Sequence, residues 1–205
     1  DGIFVVPPAN NNIRVGEQLG LLAKSLGINN VIPFSSLHQY QRSDSFWANE
    51  YTTPEHASIV GFPSDINYIP PFVNINCLDG NFELINPDPV PLITKNCEEF
   101  GDNWSDELQS SDRQAIDNYF KRKEKIRQDV SFINFRVGKK DNFFKFESNN
   151  RKGITFEVPR SSLMTAINFE IFVDLLIGNF MKTTLHGMQE LYEGDFIQYI
   201  SKYSD

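Results

Sequence analysis

"IFVVPPANNNIRVGEQLGLLAKSLGINNVIPF", residues 3–34, decides the fold class. Ile3 to Val6 have the bulk of a buried strand, and Pro7 and Pro8 stop it, because proline cannot donate to a ladder. Leu19, Leu22, Ala23 and Leu26 then recur at i, i+3, i+4 and i+7, one face of a helix that begins near Ile13. Asn11 or Asn12 can cap its start, and Gly27 falls at C′, where a left-handed residue is wanted. "NNVIPF", residues 29–34, reads as a second short strand. Strand, helix and strand in this span predict a βαβ unit with parallel strands and a right-handed crossover. The expected class is α/β.

In α/β sheets ligands sit outside the carboxyl ends of the strands. "PPANNN" (7–12) and "SSLHQY" (35–40) follow such ends, so the pattern makes them neighbours at one rim. Asn10, Asn11, Asn12 and Arg14, at a helix start, suit an anion; the asparagines equally suit capping and left-handed loop positions. Ser35 and Ser36 would join them as polar contacts. His38 could ligate a metal or act as a general base; packing against Tyr40 or Trp47 is the alternative. "YQRSDSFWANEYTT" (40–53) lacks a period and is rich in polar and aromatic residues. Arg42, Asp44, Trp47 and Tyr51 in it could cover a pocket and contact a sugar or nucleotide, or the loop could simply pack on the surface.

Downstream, Pro54 opens a short helix, and Asp79-Gly80 between two apolar runs predicts a hairpin. The proline-rich connector 86–91 is the expected seam between a domain at 1–86 and another at 87–205. A helical region spans 104–128 and breaks near Ser110, where Ser111 and Gln114 offer a capping box. "FINFRV", "NFFKFES" and "GITFEV" read as three strands, turned at Gly138 and Asn149-Asn150. Pro159 ends the last, and Ser161 or Ser162 caps an apolar helix over 163–177. Glu170 and Asp174 stand four apart on its face, for metal or acid–base work or for backbone hydrogen bonds. A final helix closes the chain. The order β-β-β-α-α makes this part α+β. His56 reads as a surface residue, and His186 as a histidine near a helix C-terminus.

The formal net charge of -8 argues against nucleic acid and anionic membranes as partners. The 18 phenylalanines require a folded core. Cys77 and Cys97 show no zinc spacing. The most apolar stretch, 163–177, is too short for a membrane span. No basic leader precedes Ile3, which together with the cysteines points to the cytoplasm, and the missing initiator methionine to processing or a larger parent.

"DGIFVVPPANNN…EQLGLLAKSLGINNVIPFSSLH" resembles the closing βαβ of the metallo-β-lactamase fold. "IPFSS", "RSDSFW" and "VPRSSLMTAINFEIFVDLLIGNF" look like the branch that contains ascorbate-phosphate lactonase-like proteins and CMP-N-acetylneuraminate hydroxylase. The family's metal motif, H-x-H-x-D-H, does not occur in these residues. The resemblance therefore implies a C-terminal portion, opening as part of an αββα sandwich. A missing N-terminal half or second subunit would supply most ligands of a divalent zinc, iron or manganese. His38 is the one position that carries over as a ligand. The implied activity is that of a metal-dependent hydrolase or oxygenase on an anionic sugar phosphate or sugar nucleotide. A non-catalytic interaction module is the other reading of the same residues.

Overall fold

The computed structural model describes residues 2–5, 14–34, 38–52, 54–85, 87–88, 90–191 and 196–200. In chain order the elements are β1 (Ile3–Phe4), α1 (Val15–Ser25), β2 (Asn30–Val31), β3 (Asn67–Tyr68), β4 (Val73–Ile75) and β5 (Phe82–Leu84). They continue with α2 (Ser110–Lys121), α3 (Glu124–Asp129), β6 (Phe132–Val137), β7 (Lys140–Lys145) and β8 (Gly153–Glu157). The last are α4 (Arg160–Phe169), α5 (Phe172–Ile177), β9 (Lys182–His186) and α6 (Phe196–Ile200). Helices and strands are thus mixed throughout, an α/β protein in the general sense. Two compact units divide the chain. The first takes 1–6, 42–46 and 94–205; the second takes 7–41 and 47–93.

A five-stranded sheet ordered β1-β9-β8-β6-β7 organises the first unit. β6 and β8 run parallel, and the other pairs are antiparallel. β6 and β7 form the expected hairpin, turned by Gly138 (φ 59°) and Lys139 (φ 65°). Positive φ at both central residues matches the twist of the strands, and glycine bears it without a Cβ clash. Side chains alternate along each strand, so Ile133, Phe135, Val137, Ile154, Phe156 and Leu185 fall in the core. Ile116, Tyr119 and Phe120 of α2 and Leu163 and Phe172 of α4 and α5 join the same core. Phe172 stands at its centre, with ring centroids 5.3 Å from Phe156, and 6.0 Å from both Phe120 and Phe135. Offset and edge-on geometries at such distances add to the gain from burial.

Three expectations change here. β1 and β2 do not share a sheet: β1 pairs antiparallel with β9, through Ile3↔Leu185 and Phe4↔Thr184, while β2 pairs parallel with β3. The βαβ unit is therefore not formed; β1 finds its partners on β9, where the Val5 amide also donates to the Thr183 carbonyl at 2.9 Å. His186 lies on β9 and not near a helix end. "KTTLH" alternates with Thr183 and Leu185 buried, a strand pattern that the preceding apolar run obscures. The apolar helix over 163–177 is two helices, since Glu170 adopts a left-handed conformation (φ 59°, ψ 36°) as the C-cap of α4. Glu170 and Asp174 consequently share no helix face.

The helical region around Ser110 also starts differently. Residues 104–109 are not helical, α2 begins at Ser110, and the Gln109 amide donates to Asp112 Oδ2 at 2.8 Å. Asp112 thus takes the place foreseen for the Ser111/Gln114 box.

In the second unit, α1 turns a stripe of Gly16, Gly20 and Ala23 inward. A Cβ on Gly16 would meet the carbonyl oxygens of Ser58 and Val60, and one on Gly20 the ring of Pro63. That close approach leaves Leu22 and Leu26, expected in the core, 56% and 63% exposed. Gly27 does end the helix region in a left-handed conformation (φ 67°). β4 and β5 form the foreseen hairpin, with Gly80 at φ 76°. Pro54 precedes a short 3-10 turn over Glu55–Ser58. No helix among the described residues is long and apolar enough to cross a membrane. Cys77 is exposed, Cys97 is buried, and both are free thiols.

Candidate functional site

Asn10, Asn11, Asn12, Ser35 and Ser36 lie outside the described residues. Arg14 precedes α1 with its side chain exposed and reaches Glu17 Oε2 at 3.7 Å. A contact this long on the surface adds little stability. His38 and Tyr40 meet edge to face, their ring centroids 5.1 Å apart and His38 Nε2 3.1 Å from the Tyr40 hydroxyl. His56 is exposed on its 3-10 turn. Of the charged residues read as substrate contacts, Arg42 and Asp44 are the pair that come together.

Their meeting begins with the backbone. Arg42 forms an isolated parallel bridge with Lys95, and the Ser43 amide donates to the Lys95 carbonyl at 2.8 Å. The turn at 43–45 folds the chain back so that Asp44 faces Arg42. Arg42 Nε and Nη2 donate to the two carboxylate oxygens of Asp44, at 3.0 and 2.8 Å. Arg42 Nη1 donates to Asp102 Oδ2 at 2.9 Å. The guanidinium also lies over the Phe180 ring, 4.0 Å from its centroid, with Phe100 at 5.3 Å. A planar fork over an aromatic face is a geometry that lysine cannot reproduce.

Both carboxylates are held from other directions. Trp104 Nε1 donates to Asp44 Oδ2 at 2.9 Å. Asp102, with a side chain 1% exposed, accepts the Ser162 amide at 2.9 Å and the Ser162 hydroxyl at 2.6 Å. That amide belongs to the first turn of α4, where a carboxylate satisfies an orphan donor and favours the helix dipole. Arg160, two residues earlier in the same turn, grips Asp112 through Nε at 2.6 Å and Nη2 at 3.1 Å. Burial pushes the Asp44 carboxyl up, yet the hydrogen bonds from Arg42 and Trp104 outweigh it and hold the group below the usual carboxylate range. Burial likewise opposes the charge on Arg42, and its bonds to Asp44 and Asp102 more than restore it. Burial and the nearby Asp44 charge push the Cys97 thiol up, which makes it a poor nucleophile.

The cluster therefore consumes the polar groups of Arg42 and Asp44 in fixing the 42–46 turn. Beside it a cleft of about 290 Å³ opens, lined by Arg42, Phe100, Ser161, Thr165, Asp174 and Phe180 among others. Sequence spacing singled out Asp174 with Glu170, but Glu170 instead meets Arg122, Nη1 to Oε1 at 2.7 Å. Asp102, Trp104 and Phe180 were not foreseen, and Ser162 only as a helix cap, because partners sixty or more residues apart leave no periodic trace.

A second polar group lies on β8 and β9. Thr155 Oγ1 and His186 Nε2 are 3.0 Å apart, and Asn134 Nδ2 is 3.4 Å from the same hydroxyl. Burial lowers the pKa of His186.

The resemblance implies a divalent metal. Among the described residues no three His, Cys, Asp or Glu side chains are grouped to hold an ion. His38 offers one imidazole, and catalytic zinc takes three protein ligands. The described residues do not fit a metal centre by themselves. Compared with protein-family models, curated proteins and solved structures, the chain matches none of them.

Proposed function

We propose that the chain is the C-terminal portion of a metal-dependent hydrolase or oxygenase acting on an anionic small molecule, a sugar phosphate or sugar nucleotide. The resemblance at "IPFSSLH" and "RSDSFW" motivates the reading. One structural observation supports it: the second unit leaves many of its apolar residues uncovered, as part of a larger α/β layer would. Leu21, Leu22, Leu26, Phe34, Ile59 and Val60 are each more than half exposed. Two parallel strands of two residues are also too little sheet, since parallel sheets are buried on both faces.

In this reading a preceding half completes the αββα layers and brings the metal ligands, with His38 as one ligand at most. The contribution of this chain is positional: Arg42 holds the loop that follows His38 and Tyr40, and the substrate anion is met by the 10–14 and 35–36 segments.

The test is metal analysis of a polypeptide carrying this chain behind its upstream half. Near-stoichiometric zinc, iron or manganese, reduced by His38→Ala, is the expected result. A protein that purifies folded and metal-free would sink the reading. The same exposed leucines favour a second one, a non-catalytic module that takes a protein partner on the second unit. There His38→Ala changes neither metal content nor binding.

A further inference from the structure

We propose that the cleft beside Arg42 binds a small organic cation, an ammonium group carried on a short apolar stem. The inference stands apart from the enzyme reading and concerns the first unit only.

The charges come first. Arg42 is the cation that lines the cleft, and it is already met by two carboxylates, Asp44 and Asp102. The cluster thus carries one formal negative charge in excess. Asp174 lines the same cleft and has no ion pair or side-chain hydrogen bond among the described residues. Asp44 and Asp102 are not among the lining residues, but they already neutralise the Arg42 guanidinium, so the wall charge left to answer is the Asp174 carboxylate, which a cation would relieve.

The walls point the same way. Phe100 and Phe180 are part of the lining, and aromatic rings attract ammonium groups. Phe180 already supports the Arg42 guanidinium, while Phe100 is 51% exposed and has surface to spare. Ala166, Ile171 and Leu175 give the stem an apolar floor, and Ser161 and Thr165 place hydroxyls at its edge. A volume of about 290 Å³ lies at the small end of ligand sites, so the ligand is a fragment-sized amine and not a nucleotide.

The left-handed turn at Glu170 builds this arrangement. Had α4 continued, Asp174 would lie on the same face as Glu170; the break starts α5 afresh and turns Asp174 to the cleft. Arg122 meanwhile keeps Glu170 occupied.

The test is a titration of the full chain with n-butylammonium, followed by backbone amide NMR shifts. Saturable shifts at Thr165 and Asp174 are expected, with a dissociation constant on the order of 1–10 mM. Asp174→Asn should weaken binding about three- to fivefold, and Phe100→Leu about two- to fivefold, with the rest of each spectrum unchanged. n-Butanol should bind more weakly than the ammonium, and pentanoate should not compete. Equal binding of n-butanol, preference for pentanoate, an unaltered constant in Asp174→Asn, or no saturation each overturns the proposal.

Discussion

The first unit closes a core around Phe172, where Tyr119, Phe120, Phe135 and Phe156 surround one ring. Among the described Ala, Val, Ile, Leu, Met and Phe residues of the second unit, those buried are Ala23, Ala48, Ile66 and Ile69. The two regions are comparably apolar in sequence, and what separates them is geometry. Five paired strands give the first unit a continuous face to cover. The second has two-residue and three-residue strands and a helix whose inward stripe is glycine and alanine. Small inward residues let α1 approach its support closely, but they bury little area, and its leucines face outward.

Removing Phe172 should hurt most. Phe172→Ala is expected to cost about 4 kcal/mol in chemical denaturation followed by far-UV circular dichroism, through lost transfer energy and the cavity left behind. A loss below about 1 kcal/mol would show that the first unit is not the stable half.

Arg42→Ala comes next, at about 3 kcal/mol, because it leaves Asp102 and Asp44 without their cation. Arg42→Lys should recover only part of this, having lost the two-pronged contact. The acid limb follows from Asp44. Its folded pKa is depressed, so as pH falls the unfolded chain takes up the proton first. The stabilisation is full above about pH 4 and is lost as pH drops through the folded value. Asp44→Asn should flatten that limb; an unchanged acid profile contradicts the assignment.

Tyr119→Phe is smaller, about 1 kcal/mol, for the hydrogen bond to the Ile200 carbonyl at 3.1 Å. Burial, followed by the Glu170 charge, pushes the Tyr119 phenol up to about 12 from 10.0. Here the unfolded chain loses its proton first as pH rises. The stability is present below pH 10.0 and drains away towards about 12. The phenylalanine variant should lack that alkaline decline.

The least effect belongs to the second unit. Leu22→Ala should change stability by less than about 0.5 kcal/mol in this chain, as for an exposed position. If an upstream half covers this face, as proposed, the same change should cost several times more in a polypeptide that carries both. Equal small effects in both would remove the support for a covered surface.

Legibility in the sequence follows the same division. β6, β7, β8 and the Asp79-Gly80 hairpin could be read, because alternation and turn residues are local signals. β9 could not: "MKTTLH" follows an apolar helix, and its strand character depends on a neighbour as distant as β8. The helix break at Glu170 carries no glycine or proline to announce it. α1 was placed correctly but rotated, since its close contact with residues 58–63 selects the glycine stripe over the leucines. For the site, Arg42 and Asp44 could be named only as polar residues of an aperiodic loop, and Asp102, which ties them into a triad, lies far along the chain.

The turn at 42–46 has one practical consequence for anyone trimming the gene. A fragment starting at Thr94 looks like a natural cut, yet it would discard both β1 and Arg42. Its Asp102 would then lie in the interior facing Ser162 with no countercharge. A shortened version of the first unit therefore has to keep residues 2–5 and 42–46 along with 94–200.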